Sequence, residues 1–502
     1  MKSPRSKTVL NRRDLLKTAA TAAGAATLGR VATAADDPKE SKEPKKFIEG
    51  YASQLSCVAG DQVPLKVSTN AAKYDVEVFR VGTKVESVFK QAGLKGKQHP
   101  VPEDASTHGC RWPIALKVPV AAAWPSGYYR VLLHTQEENG KRAKGEAFFC
   151  VRSTKPGTNA KILLQLCTNT YNAYNRWGGR SLYGGTKGIA RRVSFERPFG
   201  GFEPTERFAR FYSGWMKWEE PFVKWAEAAG YSIDFATNAD LEFRPEILKN
   251  YRLVLSVGHD EYWSAPMRDS LEAFIAKGGN AAFFSGNTCF WQVRSEPDGS
   301  GLISWKSDFD KDPVYKQEDK RLLSGMWSNV LVGRPENTLT GVSFTYGGYH
   351  KFFEFGGEGC YTVHQPEHWI YAGTGLKQGD KLGQKDQIVG YECDGCQFTL
   401  KDGRPVPTGK DGTPNSFQIL GSAPAGLSSK RDSSLLWASE ALFGKGTKKR
   451  HEQPGAAVLG CYTQGGTVFT TGCTEWVRGL EGHDPAVEQI TRNVLDRLMM
   501  PG

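Results

Sequence analysis

Residues 253–264 of this chain are LVLSVGHDEYWS, a short apolar run followed directly by polar and aromatic side chains. The run has the length and the β-branched content of a strand that is buried on both faces. Three similar runs lie at residues 162–166, 232–236 and 281–284. Helical patterns lie between them at residues 219–229 and 266–277, with Ser264 at the N-cap position of the second. Apolar strands alternating with helices predict an α/β fold whose mostly parallel sheet is covered on both faces.

Ligands of such sheets bind just beyond the carboxyl ends of the strands, so the residues that follow each run are the candidates for function. Tyr171 and Tyr183 follow the first run, in a loop that extends from Cys167 to Gly185. His259 and Glu261 follow the quoted run, and Asn287 follows the last one. We therefore expect tyrosines, a histidine, a carboxylate and an amide to meet at one edge of the sheet.

Two phenolates and one carboxylate would supply three negative charges, which suits a ferric ion. Phenols have a pKa near 10 and need a strong Lewis acid to ionise at neutral pH, which ferric iron provides. Spacing alone does not single out this arrangement, because tyrosines in glycine-rich loops also serve in packing and hydrogen bonding. The residues by themselves leave both interpretations open.

Several motifs of the chain are similar to those of a known family. They are TYNAY at 170–174, SLY at 181–183, GHDEYWS at 258–264, GNT at 286–288, GTGL at 373–376, GYECD at 390–394 and GCTEW at 472–476. Together they resemble the catalytic C-terminal domain of the N,N-dimethylformamidase large (beta) subunit-like family. The resemblance covers about residues 160–500, and GHDEYWS in register with the tyrosine loop is its most specific part.

This resemblance implies a fold like the class I glutamine amidotransferases, which is flavodoxin-like, and hydrolysis of a small amide. It also implies one mononuclear iron (Fe3+) per chain. The implied metal ligands are Tyr171, Tyr183 and Glu261. The implied acid and base groups are His259 and Glu392, and Asn287 is the implied polar residue that positions the substrate and donates to a developing oxyanion.

The N-terminal third has a different pattern. Residues 1–34 have a basic head, an alanine-rich middle and a paired Arg12-Arg13, so they resemble a twin-arginine export signal and predict a periplasmic protein. Residues 35–47 are predicted to be a linker, and residues 48–153 alternate like the strands of a small immunoglobulin-like β-sandwich. The catalytic domain is predicted over residues 160–502, with an insertion at about 300–350.

Charge and hydropathy exclude two classes of partner. The predicted signal holds seven basic residues and one acidic residue, so it carries +6 of the formal net charge of +11. The remaining +5 and the lack of a recognition motif argue against nucleic-acid binding. No stretch has the roughly 18 uninterrupted apolar residues of a membrane span. The chain alone leaves open whether it forms a homo-oligomer or works with a small accessory subunit.

Other chemistries fit less well. Cys289 lacks the Gly-x-Cys-x-Gly surroundings of a thiol amidotransferase. Cys393 and Cys396 lack a second pair to complete a zinc site, so a strand-turn disulfide or free thiols are favoured. The alternative function is an exported, non-catalytic carbohydrate- or cell-wall-binding protein. Its binding loops would present Trp177, Trp215, Trp218, Trp263 and Trp291.

Overall fold

The computed structural model describes residues 45–136, 142–199, 214–351, 355–427, 434–451 and 455–500. The predicted export signal and most of the predicted linker therefore lie outside the described residues. From Lys46 onward the chain forms one compact unit. Within the described ranges, no helix is both long and apolar enough to cross a membrane.

The N-terminal region is built from two sheets that face each other. Its strands are β1 (Ile48–Ala52), β2 (Ser56–Val58), β3 (Gln62–Thr69), β4 (Lys73–Val81), β5 (Val85–Lys95), β6 (Leu116–Pro119), β7 (Gly127–Thr135) and β8 (Lys144–Arg152), and one short helix is α1 (Ala105–His108). One sheet has the order β1-β3-β6 and the other β2-β8-β7-β4-β5. Alternate side chains of both sheets, among them Leu65, Val78 and Phe149, share one apolar core. The region is thus a two-layer β-sandwich, while its immunoglobulin-like topology stays a prediction.

The second region contains a nine-stranded sheet flanked by helices. The strands of the second region, which form this sheet and several smaller ones, are β9 (Ile162–Leu166), β10 (Arg192–Ser194), β11 (Ile233–Thr237), β12 (Leu253–His259), β13 (Tyr262–Ser264), β14 (Asn280–Gly286), β15 (Trp291–Ser295), β16 (Gly301–Ile303), β17 (Ser343–Gly348), β18 (Tyr361–Val363), β19 (Lys381–Leu382), β20 (Cys393–Gly395), β21 (Phe398–Lys401), β22 (Arg404–Pro407), β23 (Gln418–Ala425), β24 (Gly455–Gln464) and β25 (Gly466–Thr470). Its helices are α2 (Thr168–Tyr174), α3 (Glu219–Ala228), α4 (Asn238–Phe243), α5 (Ala265–Ala276), α6 (Asn337–Thr340), α7 (Ser434–Phe443), α8 (Val477–Glu481) and α9 (Pro485–Leu498).

The order of the large sheet is β11-β9-β12-β14-β25-β24-β23-β18-β19. The first five strands are parallel, and the remaining pairings are antiparallel. The four apolar runs of the sequence are therefore neighbouring parallel strands, but the sheet as a whole is mixed rather than mostly parallel. The likeness to the glutamine amidotransferase fold stays a prediction.

Both faces of the parallel half are buried, which explains why its strands are largely apolar. Along β12, Leu253 and Leu255 belong to the core under α3 and α9, whereas Val254 belongs to the core under α4 and α5. The helix α5 begins one residue earlier than predicted, and the Ser264 hydroxyl accepts a hydrogen bond from the amide of Met267 at 3.3 Å. This confirms the predicted N-cap.

The β-sandwich is joined to the second region by buried polar contacts. The Asp240 carboxylate accepts hydrogen bonds from the Ser56 hydroxyl at 2.7 and 2.9 Å, and Arg152 lies 3.1 Å from the same carboxylate. Asp240 also closes a capping box with Thr237 at the start of α4. On the apolar side, the rings of Tyr128 and Trp215 stack with centroids 4.2 Å apart. One carboxylate therefore ties a sandwich strand to the end of β11.

The predicted insertion packs against the second region as short turns and strands. Its residue Glu336 is fully buried, and burial raises the pKa of this carboxyl from 4.5 to about 8, an effect that the charge of Arg268 partly offsets. The folded chain therefore binds the proton of Glu336 more tightly than the unfolded chain does. Since the unfolded chain loses this proton first, the free energy of unfolding must fall as the pH rises from 4.5 toward 8.

The substitution Glu336→Gln tests this pH dependence, because glutamine stays neutral at every pH. The unfolding free energy of the variant minus that of the unsubstituted protein should rise by about 2–3 kcal/mol from about pH 6 to about pH 9. Urea unfolding at both values provides the measurement. Glu318→Gln at an exposed position controls for the loss of a charge. A pH slope that Glu336→Gln leaves unchanged contradicts the prediction.

Candidate active site

The candidate site lies where neighbouring parallel strands end. β12 pairs with β9 on one side and with β14 on the other, so their carboxyl ends share one edge of the sheet. β9 continues almost directly into α2, and β12 into the turn before β13. The side chains that follow these strands are consequently brought together, as the sequence predicts.

Three of the predicted residues form a buried chain of charged groups. His259 Nε2 lies 2.8 Å from Glu392 Oε2 and 3.4 Å from Glu261 Oε2. Burial alone would lower the pKa of His259, but the carboxylates of Glu392 and Glu261 raise it well above its ordinary value. Burial would raise the pKa of Glu261, yet contact with His259 and the charge of Lys306 lower it. The two effects favour an imidazolium between two carboxylates.

Glu261 is held from several sides. Its backbone amide donates to the Thr170 hydroxyl of α2 at 2.9 Å. Its Oε1 accepts hydrogen bonds from Trp291 Nε1 at 2.7 Å and from the Tyr183 hydroxyl. Its Oε2 is buried and accepts no hydrogen bond from the described residues. One carboxylate oxygen is thus saturated, and the other faces the site and His259.

The second tyrosine of the cluster is Tyr174, which the sequence analysis did not select. The rings of Tyr174 and Tyr183 lie 4.2 Å apart, and the Tyr174 ring is 5.5 Å from that of His259. Burial, followed by the nearby charge of Glu261, raises the pKa of both phenols well above the ordinary value. Without a cation, these two tyrosines are therefore neutral.

Tyr171, the predicted ligand three residues earlier on α2, has different surroundings. Its hydroxyl donates to Glu219 Oε1, and its ring contacts Phe148 and Phe199 edge to face at 6.0 Å. The charges that act most strongly on it are those of Glu219 and Cys167, and Glu261 is not among them. The structure thus brings Tyr183 and Glu261 together, and leaves Tyr171 in the core beneath α3.

Lys306 is a further residue of the site, contributed by the predicted insertion. Its ammonium lies 3.2 Å from the centroid of the Tyr183 ring and 5.0 Å from that of Trp291, and only 9% of the residue is exposed. Its backbone adopts a φ of 54°, which is costly for a residue with a side chain. No motif marks Lys306 in the sequence, because it follows strand β16 far from the GHDEYWS loop.

Asp260, between His259 and Glu261, fixes the direction of both neighbours. Its buried carboxylate points into the protein, where it accepts hydrogen bonds from Ser256 Oγ at 2.8 Å, Asn238 Nδ2 at 3.4 Å and Gln165 Nε2. These donors belong to β12, to α4 and to β9. Burial raises the pKa of Asp260 to about 6, against the effect of its donors. Because Asp260 points inward, the side chains of His259 and Glu261 face the site.

Asp394 fixes the loop after β14 in a similar way. Its carboxylate accepts hydrogen bonds from the backbone amides of Asn287 at 2.9 Å and Thr288 at 3.1 Å. Asn287 has a φ of 49°, a left-handed turn that asparagine tolerates well. In this conformation Asn287 Nδ2 donates to Glu392 Oε2 at 3.2 Å. Asn287 and Glu392 are therefore both part of the site.

A trivalent metal ion fits part of the predicted ligand set. The buried Oε2 of Glu261, which lies 3.4 Å from His259 Nε2, and the phenol of Tyr183 are oxygen donors of the kind that ferric iron binds. Tyr174 offers the second phenol at this place, which Tyr171 does not. Among the described residues, no group of three or more histidine, cysteine, aspartate or glutamate side chains is arranged to hold a metal ion.

The tryptophans proposed as a sugar platform are buried. Trp177, Trp215, Trp218, Trp263 and Trp291 are between 0 and 8% exposed. Their rings pack inside the protein and present no open aromatic surface to a polysaccharide, so this observation does not favour the binding-protein alternative.

Comparison with known proteins gives the family. The profile described as N,N-dimethylformamidase beta subunit-like, C-terminal, matches residues 75–489. The chain belongs to this family. It is 24% identical over 336 residues to the N,N-dimethylformamidase beta subunit of Paracoccus aminophilus, covering 61% of this chain and 40% of that protein. It is 30% identical over 108 residues to the protein of the same name from Alcaligenes sp., covering 21% of this chain and 14% of that protein.

These matches confirm the resemblance found in the sequence. The match to the family profile begins inside the β-sandwich, at residue 75 of β4, and so includes more than the region predicted to be catalytic. The chain spans less than half the length of the relatives that it matches.

The role of Asp260 can be tested by Asp260→Ala. The change removes a buried acceptor that three side-chain donors share, so we expect the free energy of unfolding to fall by about 2–4 kcal/mol. Denaturant unfolding of the full chain provides the measurement. Asp319→Ala is the matched control, because Asp319 is largely exposed and its loss should change the free energy by less than about 0.5 kcal/mol. Equal losses in the two variants would contradict an anchoring role.

Proposed function

We propose that this chain is an amide hydrolase of the N,N-dimethylformamidase type, acting on a small amide. The observation that carries the proposal is the buried contact of His259 with Glu392 and Glu261 at the carboxyl edge of the sheet. Membership of the family supports it. The relatives that carry the name of this activity match only part of their own length, so the substrate is part of the proposal.

Amide hydrolysis requires a base for the attacking water and an acid for the departing amine. Glu392 and His259 can divide these tasks, because a proton can pass between Nε2 and Oε2 over their 2.8 Å contact. Glu392 would take the proton of the water, and His259 would deliver one to the amine nitrogen. Their burial excludes bulk water, which would otherwise weaken these charge interactions.

Asn287 and Lys306 complete the arrangement. One amide hydrogen of Asn287 already binds Glu392, so this residue orients the carboxylate and keeps a second N–H for the developing oxyanion. Lys306 places a positive charge over the ring of Tyr183, where it offsets the negative charge of Glu261. In this proposal Asn287 and Lys306 bind and orient the amide between Glu392 and the ring of Tyr183.

We include one ferric ion per chain in the proposal, held by Glu261, Tyr183 and Tyr174. Bound there, ferric iron would act as a Lewis acid that polarises the amide carbonyl and lowers the pKa of water. Tyr174 replaces Tyr171 in the ligand set that the family resemblance implies, because Tyr174 lies beside Tyr183 and Tyr171 is hydrogen-bonded to Glu219.

Three phenylalanine substitutions distinguish the ligand sets. Tyr183→Phe and Tyr174→Phe should each reduce the iron content by tenfold or more and abolish the visible phenolate-to-iron absorption, since each removes an anionic donor. Tyr171→Phe is the matched control on the same helix and should keep both. Metal analysis and absorption spectra of the iron-loaded full chain provide the measurement. Loss of the absorption in Tyr171→Phe, with retention in Tyr174→Phe, would restore the original assignment.

The activity itself is tested by release of amine from N,N-dimethylformamide and from a panel of small amides. We expect hydrolysis by the iron-loaded chain, and a loss of at least a hundredfold in kcat for Glu392→Gln, which keeps the shape but not the base. Asp319→Ala again serves as the control. Stoichiometric iron without hydrolysis of any small amide would refute the proposed reaction.

Location and assembly belong to the same proposal. The twin-arginine-like leader supports export to the periplasm. The relatives are named as subunits, and we extend this to propose that the chain assembles with other chains.

A further inference from the structure

Two cysteines lie opposite each other next to the proposed base, Glu392, which Cys393 follows directly in the chain. Cys393 and Cys473 are partners in an antiparallel bridge. The amide of Asp394 donates to the carbonyl of Gly472 at 2.9 Å, and the amide of Thr474 donates to the carbonyl of Glu392 at 3.1 Å. Hydrogen bonds from the residues on either side place Cys393 and Cys473 in a non-hydrogen-bonded pair, where opposed side chains approach most closely.

This geometry suits a disulfide. Opposed residues of a non-hydrogen-bonded pair have Cα atoms about 4.5 Å apart, within the range of about 4.4–6.8 Å found for disulfides. Both cysteines are free thiols in the structure, and the Cys473 thiol donates to the carbonyl of Ile388 at 2.9 Å. Both side chains are fully buried in the same apolar core, so they leave the two backbones on the same side. Among the described strand pairings, no other two cysteines are in register. Cys57 and Cys150 lie on neighbouring strands but are offset by one residue.

The structure places the two cysteines of the CxxC spacing in different apolar cores. Cys396 belongs to the core on the opposite side of the sheet from Cys393. We therefore do not assign a strand-turn disulfide to Cys393 and Cys396. The partner of Cys393 is 80 residues away along the chain, which no local motif could indicate.

We propose that Cys393 and Cys473 form a disulfide when the protein is made in an oxidising compartment, and that this bond fixes the start of β20, directly after Glu392. The bond forms by thiol–disulfide exchange with a small-molecule or protein disulfide. One cysteine thiolate attacks the oxidant and releases one thiol, and the other attacks the mixed disulfide and releases the second. Two protons and two electrons leave the cysteines, and the oxidant is reduced to two thiols.

Close packing around the pair explains why such a bond would matter for the site. A side chain at Gly286, the last residue of β14, would meet the carbonyl of Glu392 at 2.6 Å and the amide of Thr474 at 2.6 Å. The backbones of β14, Glu392 and Thr474 are therefore already in contact. Burial raises the pKa of both thiols, Cys473 to about 12, so the closed structure protects them from oxidation. The exchange consequently takes place while the chain folds or when this loop opens.

The test compares full-length protein produced in an oxidising and in a reducing compartment. After denaturation and blocking of free thiols, the oxidised protein should show eight of its ten cysteines as thiols, and the reduced protein all ten. Peptide mapping should link Cys393 to Cys473, and the urea midpoint of the oxidised protein should be higher than after reduction. Ten thiols in both preparations, or a link from Cys393 to Cys396, would overturn the proposal.

Two single substitutions provide matched controls. Cys396→Ser should leave the linked peptide unchanged, whereas Cys473→Ser should abolish it and should remove the difference in urea midpoint between the two preparations. If Cys473→Ser does not fold, the mapping of the unsubstituted protein decides by itself. A difference in midpoint that persists in Cys473→Ser would assign the stabilisation to another pair and refute the role given to this bond.

Discussion

The buried carboxylate of Asp260 is the interaction on which the site depends. It accepts hydrogen bonds from residues of β9, β12 and α4, and its own carbonyl accepts one from the amide of Cys289 at 2.8 Å. The turn after β12 is thus tied to β9, to α4 and to the loop after β14. A buried carboxylate is costly unless donors surround it, so the turn has few alternative conformations. Because the turn is restricted in this way, the orientations of the His259 and Glu261 side chains are fixed as well.

The charged side chains of the candidate site are balanced in pairs. Glu261 and Glu392 carry negative charge into a region from which water is excluded, and His259 lies between them. Lys306 adds a second positive charge over the Tyr183 ring. A cluster of this composition would be unstable if any one member were removed, because the remaining charges would stay buried without a partner. Its retention inside the protein is better explained by chemistry than by stability.

The parallel half of the sheet and its helix N-cap could be predicted from the sequence, because burial on both faces leaves a local signal in every strand. The antiparallel half could not, since β18 pairs with β23 and β23 pairs with β24 across long connections that no local pattern reports. Tyr174 was missed for a related reason. Tyr171 and Tyr174 occupy successive turns of α2, and only the packing of Tyr171 against Phe148 and Glu219 decides which one faces the site. The place of Lys306 in the site could not be predicted either, because it depends entirely on the path of the insertion.

The contact between the β-sandwich and the second region also bears on function. Tyr128 and Phe148 of the sandwich belong to the same apolar core as Trp215, Phe222 and Leu255. Tyr171 packs against Phe148, and its helix α2 carries Tyr174 and Thr170 into the site. The sandwich therefore supports the helix that holds two residues of the candidate centre. This contact agrees with a compact unit that includes both regions and with a family match that begins within the sandwich, at residue 75.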